Sequence, residues 1–381
     1  MLQSLEIKNF RALEDLKVSK LGRVNLIVGK NNSGKSSILE ALRIYAGEAQ
    51  PHLLREIAGM HDEAMQAGEP ENGLPGIMPF DGFFPGRRFP EDGSCILIGE
   101  VGKADTALQI RFGHMISEQV DSVDNEGRPI TYTARRLLAQ GDNSDGEVEP
   151  VLEVSKGGES APIRLLGHLP PFLRRVDPKA MVLPCAMVPT RVVSFDELAA
   201  IWDKVGLTTN KKVVADALRI IAPEFQELMF IKNGSPSSGA QRRNERTAIV
   251  SLENEPRPVP INSMGDGMAR VLQLILKMFA AKGGILLIDE FENGLHYSVQ
   301  EKVWQMMFDL AHKLDIQIFA TTHSWDCIES FAKVACQREA GDGILFRVGR
   351  SIRTSDHGKI TATVFDGQQL FDLTQAEMEV R

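Results

Sequence analysis

The chain has 381 residues, 43% of them hydrophobic and 25% charged, with a formal net charge of −8 at pH 7. That balance describes a globular chain with room for one large core or two modest ones, and it disfavours a surface coated in positive potential, although a local basic groove survives the argument. Apolar runs such as GGILLID fall far short of the roughly 18 residues of a membrane span, MLQSLEIKNFRALEDL is no signal peptide, and the four cysteines, Cys95, Cys185, Cys327 and Cys336, form no C-x-x-C pair, so reduced core thiols and a cytoplasmic setting are expected.

In chain order, the first informative element is Val24 to Val28, a short buried strand. It runs into Gly29-x-x-x-x-Gly34-Lys35-Ser36 and then into a helix with Ile38, Leu39, Leu42 and Tyr45 on one face. Strand, glycine-rich loop and helix in that order make the P-loop pattern. Glycines let successive backbone N–H groups curl around phosphate oxygens, and the helix N-terminus adds a favourable dipole. Lys35 is expected to reach the β and γ phosphates of a nucleotide, and the Ser36 hydroxyl to take one position on Mg2+.

Residues 58–93 are dense in Gly and Pro and read as loop. Strand-like segments follow in CILIGEV, ALQIRF, VLEVSK and MVLPCAMV, which together predict an antiparallel β arm packed on the main sheet. Residues 194–232 show helical periodicity through Leu198, Ile201, Trp202, Val205, Val214, Leu218 and Ile221, predicting a helical lid. The tract NGSPSSGAQRRNER is expected to be a mobile loop, with Arg242, Arg243 and Arg246 at a basic tip. These and the pairs Arg87-Arg88, Arg135-Arg136, Arg174-Arg175 and Lys211-Lys212 read as solvated faces first and as nucleic-acid contacts second.

At residues 261–276, INSMGDGMARVLQLIL, a serine, two glycines and an aspartate stand at the entrance to an amphipathic helix. Met268, Val271, Leu272, Ile275, Met278 and Phe279 recur there at helical spacing. Backbone so bare at a helix N-terminus is suited to an anion. The apolar run Ile285 to Ile288 ends in Asp289-Glu290, as expected of a strand covered on both faces with two carboxylates at its carboxyl end. Asp289 is the candidate for holding Mg2+, and Glu290 for the base that orients or deprotonates an attacking water. After a helix over VQEKVWQMMFDLAHKL, the segment IQIFATTHS predicts a third strand ending at His323, a donor to the γ-phosphate or to the attacking water. GILFRVGRSIRTSDHGKITATVFDGQQLF predicts a closing hairpin and a short helix.

Together these pieces resemble the ABC-type ATPases, and within them the RecF/SMC-like, OLD-like branch of AAA_15/AAA_21 type that serves bacterial anti-phage systems such as Septu and PARIS. LEIKNFRAL is similar to that branch's first strand, GKNNSGKS to its P-loop, LLIDEFENGLH to its Walker B and D-loop, and ATTHS to its switch histidine. The resemblance implies an α/β fold: an ABC ATPase head with a mixed or parallel sheet flanked by helices, carrying an antiparallel β arm and a helical lid insertion. No a/d heptads fill the stretch between Ser36 and Ser263, so no long coiled coil is expected. The implied division is an N-terminal ATPase lobe over 1–57, a loop and β-arm insertion over 58–193, a helical lid and loop over 194–246, and a C-terminal lobe over 247–381.

Carried over residue by residue, the resemblance implies nucleotide contacts from Arg11, from Gly29, Asn31, Asn32, Ser33, Gly34, Lys35, Ser36 and Ser37 of the P-loop, and from Ser263, Gly265 and Gly267 of the signature motif. It implies Mg2+ on Ser36 and Asp289, and ATP hydrolysis carried by Glu290, His323 and Lys35. The signature residues would serve the γ-phosphate bound to a second copy, making ATP the glue of a head-to-tail homodimer or higher homo-oligomer. Met264 and Asp266 depart from the common Leu-Ser-Gly-Gly-Gln form. Asn293 would lie near the dimer seam, and Gln109 is the candidate for a glutamine coupling nucleotide to the lid. The implied function is an ATP-hydrolysing switch that controls a separate effector nuclease, such as a Toprim or HNH protein, because no nuclease is legible in this chain. The alternative is a RecF-like repair clamp that binds DNA or RNA; the motor subunit of a membrane transporter fits the KNFRAL start and the divergent signature poorly.

Overall fold

A computed structural model describes residues 1–61, 80–123, 129–138, 147–165, 183–232, 246–253, 255–351, 356 and 358–376. Arg174-Arg175, Arg242, Arg243 and residues 62–79 of the expected loop lie outside the described residues. In chain order the elements are β1 (Leu5–Phe10), β2 (Leu13–Val18), β3 (Val24–Val28), α1 (Lys35–Ala46), α2 (Pro51–Met60), β4 (Cys95–Gly99), β5 (Leu108–Val123), β6 (Pro129–Leu137), β7 (Glu147–Lys156), β8 (Glu159–Arg164) and β9 (Cys185–Val188). They continue with α3 (Phe195–Val205), α4 (Lys211–Leu218), β10 (Phe225–Lys232), β11 (Arg246–Leu252), β12 (Val259–Pro260), α5 (Asp266–Ala280), β13 (Ile285–Ile288), α6 (Tyr297–Leu314), β14 (Gln317–Thr322), α7 (Trp325–Ala335), β15 (Gly343–Arg350), β16 (Ile360–Asp366) and α8 (Gly367–Gln375).

Two compact units divide the chain. The first holds Met1–Ser4, Val18–Leu39 and Leu183–Arg381. Its six-stranded sheet has the order β16-β15-β3-β14-β13-β9, all neighbours parallel except the edge strand β16. Every residue of β3, β13 and β14 is buried, which is why these strands read as unbroken apolar runs and not as alternations. The register sets Thr322 beside Val28 and Ile288 beside Ala320. Three carboxyl ends therefore reach one edge of the sheet, where open parallel sheets bind ligands.

Helices complete the core. Met268 to Met278 of α5 are all buried, with α3, α4 and β9 packed against that helix. α6 packs on α7, where Trp304 stacks on Phe291 at 3.7 Å and meets Phe331 edge-on at 5.0 Å. Fully burying an apolar side chain of this size contributes about 1.5–3 kcal/mol. The expected closing hairpin and short helix appear as β15, β16 and α8, the last opened by a capping box between Asp366 and Gln369.

Three expectations are corrected. Residues 225–232 are not helix: Pro223 follows α4 closely, and Phe225 to Lys232 form β10, paired antiparallel with β11. The CAMV part of MVLPCAMV does not belong to an antiparallel arm, since Cys185 to Val188 lie parallel to Ile285 to Ile288 in the main sheet. Arg246 is not a loop tip. It opens β11, donates its backbone N–H to Asp196 at 2.9 Å and pairs with Asp203 at 2.8 Å.

The second unit holds Leu5–Lys17 and Glu40–Val182. Its antiparallel sheet has the order β2-β1-β4-β5-β7-β8, with β6 also on β5. LEIKNF thus pairs with CILIG, Ile7 opposite Ile98. Phe10 stacks on Phe83 at 6.0 Å, and the Arg11 guanidinium lies 5.8 and 5.2 Å from those two ring centres. All four cysteines are free thiols; Cys327 alone is fully buried, whereas Cys95, Cys185 and Cys336 are half-buried. Among the described residues, no helix is long and apolar enough to cross a membrane.

Candidate nucleotide site

β3 delivers the chain to Gly29, where only glycine fits: a Cβ there would lie 2.3 Å from the Val348 carbonyl oxygen and 2.7 Å from Ser33 Oγ. Asn32 and Gly34 adopt φ of 59° and 93°, which curl the loop before α1 begins at Lys35. Lys35 Nζ donates to the carbonyls of Gly29 at 2.7 Å and Lys30 at 3.0 Å. Burial pushes the Lys35 pKa below its ordinary value, while the charges of Asp289, Glu290 and Glu292 pull it back up. Three carboxylates therefore face one ammonium. Asn31, Asn32 and Ser36 are exposed, and Ser37 is half-buried. Ser33 is buried, and its hydroxyl has no hydrogen-bond partner among the described residues. Lys30, Asn31, Asn32 and Ser33 line a cleft of about 370 Å3 with Arg347 and Arg350 of β15.

The end of β13, beyond β14 from the P-loop strand, supplies the carboxylates. Asp289 Oδ1 accepts from the Thr321 hydroxyl at 2.8 Å and Oδ2 from the Thr190 hydroxyl at 3.3 Å. The same Thr321 oxygen accepts the Glu290 backbone N–H at 2.9 Å. Glu290 has φ 48°, a left-handed conformation costing a glutamate about 1–3 kcal/mol. What holds it there is Arg270, which is 1% exposed. Its guanidinium donates to the carbonyls of Pro189 at 2.6 Å, Glu290 at 2.7 Å and Asp289 at 2.9 Å. Burial lowers the Arg270 pKa to about 10 against the pull of Glu292, Asp289 and Glu290, so the side chain stays charged at neutral pH. His323 follows β14, its Nδ1 3.7 Å from Glu290 Oε1 and 3.5 Å from Glu292 Oε1.

Among the described residues, no three His, Cys, Asp or Glu side chains cluster as metal ligands. The available donors are the exposed Ser36 hydroxyl and the Asp289 carboxylate. Two hard oxygens are the sparse set that suits Mg2+, which keeps waters and takes its other ligands from phosphates.

The segment expected to carry the signature motif is a bare helix start. Ile261–Met264 make a 3-10 turn, Gly265 turns the chain at φ 90°, and α5 begins at Asp266 with no side chain capping it. Ser263, Gly265 and Asp266 are exposed. A Cβ on Gly267 would lie 3.2 Å from the Gly294 carbonyl, so the helix's first turn sits directly on the turn after β13. Asn293, in that turn, donates to the Thr190 carbonyl at 2.6 Å.

Lys35, Asp289, Glu290 and His323 are thus brought to one edge of the first unit. Arg11 belongs to the second unit, where it pairs with Glu40 at 2.8 Å. Gln109 also lies there, on β5, donating to the Ala104 carbonyl at 3.2 Å. Sequence reading overlooked Arg270, Glu292 and Thr190. Arg270 was detectable as a cation within an otherwise apolar helix run, and Glu292 as a third acid in DEFE; nothing local distinguishes Thr190.

Parallel strands that end together in a P-loop, an Asp-Glu pair and a histidine define a P-loop ATPase of the ATP-binding-cassette class, with ATP as substrate. Residues 1–72 match the family described as "AAA ATPase domain", and residues 206–326 match "AAA domain, putative AbiEii toxin, Type IV TA system". The chain is similar to the ATP/GTP phosphatase of Helicobacter pylori, at 23% identity over 355 residues, covering 89% of this chain and 90% of that protein. Shorter stretches resemble the DNA double-strand break repair Rad50 ATPase of Archaeoglobus fulgidus, 45% identical over 56 residues (15% of this chain, 6% of that protein), and the OLD nuclease of Thermus scotoductus, 45% identical over 53 residues (14% and 10%). A solved SMC head bound to the C-winged helix domain of ScpA is also similar, with a TM-score of 0.46 and 12% identity over 97% of this chain and 99% of that one.

Proposed function

We propose that this ATPase is a switch that closes into a head-to-tail homodimer on ATP and reopens on hydrolysis. Gly29 to Ser37 cradle the phosphates through backbone N–H groups, and Lys35 neutralises the β and γ oxygens. Ser36 and Asp289 hold Mg2+, which when bound withdraws negative charge from those phosphates. Glu290 orients the attacking water and accepts its proton, and His323 donates to the γ-phosphate. Ser263, Gly265, Gly267 and the dipole of α5 close over the γ-phosphate of the second copy.

The observation that carries this reading is the first turn of α5. Its N-terminus is glycine-capped and exposed, while Arg270, one turn further on, grips the carbonyls of Asp289 and Glu290. An anion arriving at that helix end acts through one rigid element on the backbone of the proposed base. Glu290→Gln should bind ATP, fail to turn it over and accumulate as a dimer; sizing chromatography with ATP and Mg2+ showing only monomer would contradict the switch.

In the cell, we infer a sensor or scaffold ATPase of an anti-phage or toxin–antitoxin system acting on a separate effector nuclease. The family description matched by residues 206–326 and the local likeness to an OLD nuclease support that role. The basic lining from Lys30, Arg347 and Arg350 favours a second reading, a RecF-like clamp on nucleic acid. That alternative predicts DNA affinity falling steeply with salt as phosphate-bound counterions are released.

A further inference from the structure

Glu292 has no part in the scheme above, yet its carboxylate holds the histidine of that scheme at two points. Oε1 accepts the backbone N–H of His323 at 3.1 Å and lies 3.5 Å from Nδ1 of the same residue. Glu290 Oε1 approaches that ring nitrogen from 3.7 Å. The Glu292 side chain is 13% exposed, against 55% for His323. Glu292 is fixed from behind as well, since the preceding Phe291 is stacked on Trp304. Its second oxygen, Oε2, is buried with no hydrogen-bond partner among the described residues. A largely buried carboxylate therefore steers a half-exposed ring.

The chemistry of imidazole then favours one placement of the ring proton. A bare lone pair on Nδ1 would face two acceptor oxygens, so the proton belongs on Nδ1. Nε2, on the far side of the ring, becomes the nitrogen that addresses the nucleotide.

We propose that Glu292 is a positioning residue for His323, setting the ring's orientation and its Nδ1–H form so that Nε2 meets the terminal phosphate in one geometry. The proposal rests on the role given to His323 above. A double-mutant cycle separates the two. Glu292→Ala should lower kcat about tenfold or more, with KM for ATP nearly unchanged, and should cost nothing further in a His323→Ala background. Glu292→Gln retains an acceptor for the His323 backbone N–H and should recover part of the loss. Long-range 1H–15N spectra of histidine-labelled full-length protein should show His323 as the Nδ1–H tautomer, and Glu292→Ala should convert it to a mixture. Equal losses from Glu292→Ala in both backgrounds, or an unchanged tautomer, would overturn the proposal. Full turnover by His323→Ala would instead remove the histidine from the mechanism, and this inference with it.

Discussion

Lys35 carries its ammonium into a half-buried position where the carbonyls of Gly29 and Lys30 accept its protons. Charge-assisted bonds to a triphosphate are stronger than these, so Lys35→Ala should weaken ATP binding by about 2 kcal/mol or more, roughly thirtyfold. Titration with a fluorescent ATP analogue reads this directly, and an unchanged Kd would refute the cradle. Thr321 is the quieter case. Its hydroxyl donates to Asp289 and accepts from the Glu290 backbone, so the near-isosteric Thr321→Val should cost about 1–2 kcal/mol in denaturant stability and lower kcat; wild-type values of both would show that the pair holds itself. Cys327 provides a test by pH. Burial, with Glu292 adding to it, raises its thiol above the ordinary 9.0. Above that value the unfolded chain loses the proton first, so the stabilising contribution is intact below about pH 9 and fades as pH rises. Denaturation from about pH 8 to about pH 10 should therefore cost wild type more than Cys327→Ala, and equal slopes would contradict this. The placement of Lys35, Asp289 and His323 beyond the ends of buried strands could be read from the sequence, because it follows from spacing. Arg270 and Glu292 stood out only as misplaced charges; what they bond could not be read, because their partners stand many positions away: Arg270 bonds Pro189, and Glu292 meets His323.

Among the elements, α5 ties the proposed dimer contact to the carboxylates. Its first turn lies against the Gly294 carbonyl, and a methyl at Gly267 would crowd that backbone at 3.2 Å. Gly267→Ala should thus shift the start of the helix, cost about 1 kcal/mol in stability and lower the ATP-dependent dimer fraction; a variant that dimerises as well as wild type would show that the first turn has slack. Strands buried on both faces and long periodic helices were legible because each carries its signal within its own residues: β3, β13, α5 and α6 all appear where predicted. The errors came where a partner decides the outcome. FQELMFIK is compatible with helix until β11 lies beside it, and CAMV reads as arm until β13 offers it a parallel neighbour.

At the scale of the molecule, the chain order is an ATPase sheet interrupted by an antiparallel insertion, with β1, β2 and residues 40–182 forming the second unit. The insertion was foreseen as β-rich, but the capture of its first two strands from the N-terminus was not, since β1, with β2 beside it, pairs with β4 across a long sequence gap. The central claim is that each nucleotide is closed by two copies, one giving its P-loop and the other its α5 terminus. Complementation tests that claim most directly. Lys35→Ala and Ser263→Arg should each be inactive alone, the first lacking a cradle and the second blocking the exposed signature face. Mixed in equal amounts, the two variants can close only as heterodimers with one intact composite site of two, so steady-state ATPase activity should return to at most about half of wild type. No recovery on mixing, or wild-type turnover by Ser263→Arg alone, would contradict a shared site.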